Sequence, residues 1–98
     1  MLVPNAFSPS TLGPSGGVSG IGTKNDVFLP IMIGVAQFEM LVFNRWGELL
    51  FQSTDPSIGW DGYHNGQLCP QDVYVYKISA LYGNGEQVVR TGDINLIR

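Results

Sequence analysis

One cysteine, one histidine and five lysines and arginines are all that 98 residues provide, and each scarcity closes off a class of function. A lone Cys69 can form no internal disulfide and no thiolate metal cluster, so it reads as a small, half-buried residue beside Pro70. His64, the only histidine, sits among turn residues, which leaves a Ser/His/Asp or Cys/His mechanism one base and no evident partner. The cations are scattered singly and the net charge is −3, so no basic face for nucleic acid is available. No apolar run approaches the ~18 residues that a membrane span needs. The N-terminus lacks the basic-then-apolar plan of a signal peptide, and Met1 reads as an added start. No amphipathic helix of convincing length and no internal repeat appear.

What is present points to strands. The chain is 44% hydrophobic and 13% charged, apolar enough to pack one core, and its length leaves no room for a second, so residues 1–98 read as a single domain. Thirteen glycines and six prolines interrupt helices and serve tight turns. Leu2–Phe7 is apolar but contains Pro4, which cannot donate to a ladder, and so reads as an edge or entry strand. Residues 8–25, almost all Ser, Thr, Gly and Pro, read as a long surface loop. Val27–Ile33 reads as a strand with Pro30 at a bulge or edge.

Phe38–Asn44 alternates most clearly, with Phe38, Met40 and Val42 on the core face. Gly47 is expected at positive φ in the hairpin that leads to Leu49–Ser53. Thr54–Pro70 reads as a structured connection around Trp60-Asp61-Gly62, because a tryptophan brings apolar surface that must be covered. Asp72–Tyr82 is expected to turn Tyr74, Tyr76, Ile78 and Ala80 inward. Gln87–Arg98 returns antiparallel with a bulge at Gly92, Ile94 and Leu96 facing one way and Asn95 and Ile97 the other. About seven short strands separated by turns predict an all-β fold, an immunoglobulin-like antiparallel β-sandwich.

The acidic residues are spread through turns and strand ends, where solvation and capping explain them better than paired acid/base work. Asn25, Asp26, Asp61 and Asn65 carry oxygens of the kind calcium takes, but the D-x-D-x-D-G loop is missing, so no cofactor is expected. Trp46 and Trp60 are each a possible face for a sugar ring, though the expectation is that both cover the core. Arg45 beside Trp46 and Asp61 beside Trp60 suggest a cation–carboxylate tie between the two loops.

Several ordered motifs resemble one family. Val3-Pro4-Asn5-Ala6-Phe7-Ser8-Pro9, Asn25-Asp26-Val27-Phe28, Val42-Phe43-Asn44-Arg45-Trp46-Gly47, Gly59-Trp60-Asp61-Gly62, Asn65-Gly66, Val73-Tyr74-Val75-Tyr76-Lys77-Ile78 and the stretch from Gly92 to Leu96-Ile97-Arg98 together resemble the gliding-motility-associated C-terminal domain. That is the type B sorting domain of the type IX secretion system of Bacteroidota. Trp-Asp-Gly and Val-Tyr-x-Tyr are more weakly similar to the immunoglobulin-like domain of flagellar hook-capping proteins. The family's compact Ser-Pro-Asn-Gly-Asp-Gly-x-Asn-Asp loop is replaced here by Ser8-Pro9-Ser10 and a Gly/Ser insertion before Asn25-Asp26, which removes its acidic centre.

The resemblance implies a non-catalytic signal at the C-terminus of a larger cargo protein. After transit of the periplasm, it would be read as a folded surface by the outer-membrane machinery, leaving the cargo secreted or on the cell surface. The alternative is an accessory adhesion or carbohydrate-binding module. Arg45, Trp46, Asp61, Asn95, Ile97 and Arg98 are the candidates for partner recognition, the last strand being expected to form an open edge. Asn44, Gly47, Trp60, Gly62, Pro70, Tyr74 and Tyr76 are expected to hold the fold.

Overall fold

A computed structural model describes residues 3–9, 13 and 27–98. Its strands are β1 (Ala6–Phe7), β2 (Val35–Phe43), β3 (Leu49–Ser53), β4 (Tyr63–His64), β5 (Gln67–Leu68), β6 (Asp72–Tyr82) and β7 (Gln87–Leu96). Five make one sheet in the order β1-β7-β6-β2-β3, and β4 and β5 form a separate hairpin. The loop expected over 8–25 lies outside the described residues except for Ser8, Pro9 and Gly13.

The two-residue period decides what is buried. Phe38, Met40 and Val42 of β2 face the core with Tyr74, Ile78 and Ala80 of β6 and Ile94 and Leu96 of β7. Met40 lies opposite Ile78, and Tyr74 opposite Ile94, so the apolar rows stack across the central strands. Gly47 takes φ 83° in the β2–β3 turn, as its place in that hairpin predicts.

The layer over this sheet is built from loops more than from strands. Phe28 and Trp60 exchange both backbone hydrogen bonds at 2.8 and 2.9 Å. Asn65 and Gly66, at φ 53° and 78°, close the β4–β5 hairpin with the positive-φ pair that a tight two-residue turn demands. Phe7, Phe28, Trp60 and Tyr74 make the aromatic centre. The Trp60 ring lies 5.4 Å from Phe7 and 5.0 Å, edge-on, from Tyr74, within the range of favourable aromatic pairs.

Four expectations need correction. Pairing is mixed, because β1 runs parallel to β7. Val27–Ile33 is no regular strand; Phe28 alone of this run bridges to Trp60. The β6–β7 register passes Gly92 without a bulge. A Cβ there would lie 2.7 Å from the Tyr76 hydroxyl, so a larger residue would require the end of the Tyr76 side chain to move. Finally, the end of β7 is not an open edge. The Asn95 and Ile97 amides donate to Asn5 and Phe7 carbonyls at 2.9 Å, so the entry strand, with Pro4 just outside the ladder, covers the place where an open edge was expected.

Candidate functional site

Antiparallel pairing brings the β2–β3 turn, the start of β6 and the end of β7 to one end of the sheet: Phe43 pairs with Val75, and Asp72 with Leu96. Asn44 organises the turn. Its Oδ1 accepts the Trp46 and Glu48 amides, both at 2.9 Å, and its Nδ2 donates to Glu48 Oε1 at 2.9 Å. Backbone bonds from Gly47 to Asn44 and from Asn44 to Glu48, each 3.0 Å, close the loop. A side chain that satisfies nearby amides in this way competes with regular structure and fixes a turn.

The turn presents two residues. Arg45 donates from Nε to Asp72 Oδ2 at 3.2 Å and also from Nη2 to the same oxygen. Arg45, helped by the Val73 amide, holds the Asp72 carboxyl below its ordinary range, and the guanidinium is raised in return. Among the described residues Trp46 makes no such tie through its ring, and it is 83% exposed. The turn's backbone is already ordered, so binding has only the torsions of the indole left to fix.

A groove of about 300 Å3 lies between this turn and the β4–β5 hairpin, with Trp46, Glu48, Leu50, His64, Pro70 and Tyr74 among its walls. His64 is in β4 rather than in a turn, and its Nδ1 meets the Leu50 carbonyl at 3.1 Å, tying the hairpin to β3. The Tyr74 hydroxyl donates to the Pro70 carbonyl at 2.6 Å. Burial, with the charges of Cys69 and Asp72 adding and Arg45 and Arg98 opposing, pushes its phenol up to about 12. Burial likewise pushes the Cys69 thiol up, so the thiol form is favoured, against a nucleophilic role.

The Tyr74 shift has a definite sign. The folded value lies above the ordinary value of 10.0, so the unfolded chain loses its proton first. The stability owed to this group is therefore complete below about pH 10 and is lost as pH rises through about 12. Tyr74→Phe is expected to lose about 1 kcal/mol at neutral pH with the hydroxyl bond but to lack this alkaline component. Thermal melts of both proteins over that window, read as a difference, check it.

The other candidates divide. Ile97 is exposed, and the Arg98 amide donates to Gln71 Oε1 at 3.0 Å, so both stand at the same end as Arg45 and Trp46. Asn95 spends its Nδ2 on the Asn5 carbonyl at 3.0 Å, a strand-pairing role. The tie expected between Arg45 and Asp61 is made with Asp72 instead; Asp61 Oδ1 accepts the Tyr63 amide at 3.0 Å. Pairing of β2 with β6 places Asp72 beside the turn, and only that long-range register reveals it.

Trp60 is fully buried while Trp46 is exposed, so covering the core describes Trp60 alone and the two indoles form no shared platform. Gly62, at φ 83°, leaves room for Pro9, whose Cγ would lie 2.5 Å from a Cβ. Asn25 and Asp26 lie outside the described residues. Among the described residues no group of three His, Cys, Asp or Glu side chains is placed to hold a metal. Glu48, which sequence reasoning passed over, is marked only by its spacing from Asn44 and Trp46.

No curated protein and no solved structure matches the chain. The CHU_C type IX secretion signal domain model matches residues 1–96, nearly the whole length, and covers the sheet, the Trp60 layer and the Asn44–Glu48 turn alike. An all-β chain matched over that span belongs to the type IX secretion signal domain family.

Proposed function

We propose that this domain is read as a folded surface by protein components of the outer-membrane secretion machinery, and that the reading centres on the Trp46 end of the sheet. Membership of the family makes it a sorting signal for export across the outer membrane. The cargo precedes it in the same chain, passes through the periplasm and ends secreted or at the cell surface. The observation that carries the choice of surface is Trp46, 83% exposed on a turn braced by Asn44 and by the Arg45–Asp72 pair. Tryptophan and arginine are the residue types most enriched where binding energy concentrates, and a fixed turn reduces the ordering cost.

Residues 1–98 fused to a periplasmic reporter in a type IX-competent bacterium test this. The unaltered fusion is expected outside the cell. Trp46→Ala is expected to cost recognition about 2 kcal/mol, leaving most reporter in the periplasm, while the domain's stability changes by no more than about 0.5 kcal/mol. A wild-type fusion retained in the periplasm overturns the sorting role, and a fully secreted Trp46→Ala fusion overturns the choice of surface.

A further inference from the structure

Arg45 is the cation nearest in sequence to Trp46 and Glu48, and it is already committed, with two guanidinium nitrogens on Asp72 Oδ2. Among the described residues Glu48 makes no ion pair. Its carboxylate is nevertheless fixed. Asn44 Nδ2 donates to Oε1 at 2.9 Å, while Asn44 Oδ1 takes the amides of both Trp46 and Glu48. One side chain thus sets the backbone of the two residues and aims the carboxylate.

Trp46 and Glu48 line the same groove, and Leu50, Leu68 and Pro70 give it apolar wall. A held carboxylate beside an open indole has the parts of a receptor for a cationic side chain. The ring attracts the cation through its quadrupole, the carboxylate accepts charge-assisted hydrogen bonds, and apolar wall suits the aliphatic stem. Among the charged residues lining the groove, Arg45, Glu48 and Asp72, the Arg45–Asp72 pair cancels and Glu48 is left over. Arg98, whose charge is felt at Tyr74, makes no ion pair with it. The whole chain carries −3, which favours approach of a basic partner.

We infer that Trp46 and Glu48 form a receptor for one arginine or lysine side chain presented by the protein that reads the domain. This rests on the proposal that the Trp46 end is the recognised surface. It makes Glu48 a specificity residue whose charge acts on the partner, apart from the acceptor its carboxylate offers Asn44.

The reporter fusion separates the two claims. Glu48→Gln keeps an oxygen to accept from Asn44 and removes only the charge, so its melting temperature is expected to match wild type while secretion falls about threefold to tenfold, the scale of turning a charge-assisted hydrogen bond into a neutral one. Glu48→Lys is expected to be as severe as Trp46→Ala, because repulsion is added to the loss; it also withdraws the acceptor from Asn44 Nδ2, so its melting temperature is measured beside its export. If Trp46→Ala leaves most reporter in the periplasm while Glu48→Gln and Glu48→Lys export normally, the receptor is wrong and the recognised surface stands. Improved export of Glu48→Lys overturns the receptor in favour of an acidic partner. Normal export of Trp46→Ala removes both claims.

Discussion

Trp60→Ala is expected to leave the domain at the margin of stability at 37 °C, with a loss of about 3–5 kcal/mol in urea denaturation, the range for truncating a large buried aromatic. Trp60 is wholly inaccessible and joins the layers. Its ring meets Phe7 and Tyr74, its Nε1 donates to the Tyr63 carbonyl at 3.2 Å, and its backbone pairs with Phe28. Removing the indole opens a cavity between the sheet and the loop layer over it. It also withdraws a donor from a carbonyl near the β4–β5 hairpin. Small domains hold only about 5–15 kcal/mol in total, so this one change takes much of the reserve. Trp46→Ala is the matched control, the same chemical change at an exposed site, where no measurable shift in the urea midpoint is expected. Both are expected to lower export under the proposed function, by different routes: Trp60→Ala through proteolysis of a destabilised signal, Trp46→Ala with the fold intact.

The contrast between these tryptophans shows where sequence reading ends. Both sit in glycine-flanked turns with a charged neighbour, and nothing local separates a core ring from a surface one. The difference comes from Phe28, more than thirty residues upstream, which pairs with Trp60 and has no counterpart at Trp46. The long strands were legible because alternation in Phe38–Val42, Tyr74–Ala80 and Ile94–Leu96 states which side chains meet. The parallel β1–β7 contact was not, since two residues carry no alternation and the partner lies at the other end of the chain. The β4–β5 hairpin escaped for a related reason: Asn65-Gly66 is a strong turn signal, but the strands it joins are two residues each. At the candidate site, Arg45 and Trp46 stand out as turn residues of recognition type. Asp72 and Glu48 do not, because one is recruited by strand register and the other by the Asn44 side chain.

Gly59→Ala probes the same junction from the backbone side and is expected to cost about 3 kcal/mol or more, combining overpacking with the loss of backbone hydrogen bonds. A Cβ at position 59 would lie 2.3 Å from the Phe28 carbonyl oxygen, 2.7 Å from Val27 Cγ1 and 2.8 Å from Leu29 Cβ. The first of these is backbone and has no rotamer to yield. The same oxygen accepts the Trp60 amide at 2.9 Å, and the Phe28 amide returns a bond to the Trp60 carbonyl at 2.8 Å. The methyl group therefore has to push the Phe28 segment away and open both bonds, with Phe28 and Trp60 drawn out of a core they fill completely. Gly47→Ala gives the comparison, because that residue has φ 83° and open space around it, so only backbone strain of about 1 kcal/mol opposes the substitution. Hydrogen exchange distinguishes the mechanisms. In Gly59→Ala the Phe28 and Trp60 amides are expected to lose protection before those of the β6–β7 ladder. In Gly47→Ala they are expected to exchange with the rest of the core. Equal midpoints for the two variants would show that the loop layer can shift to admit a methyl group.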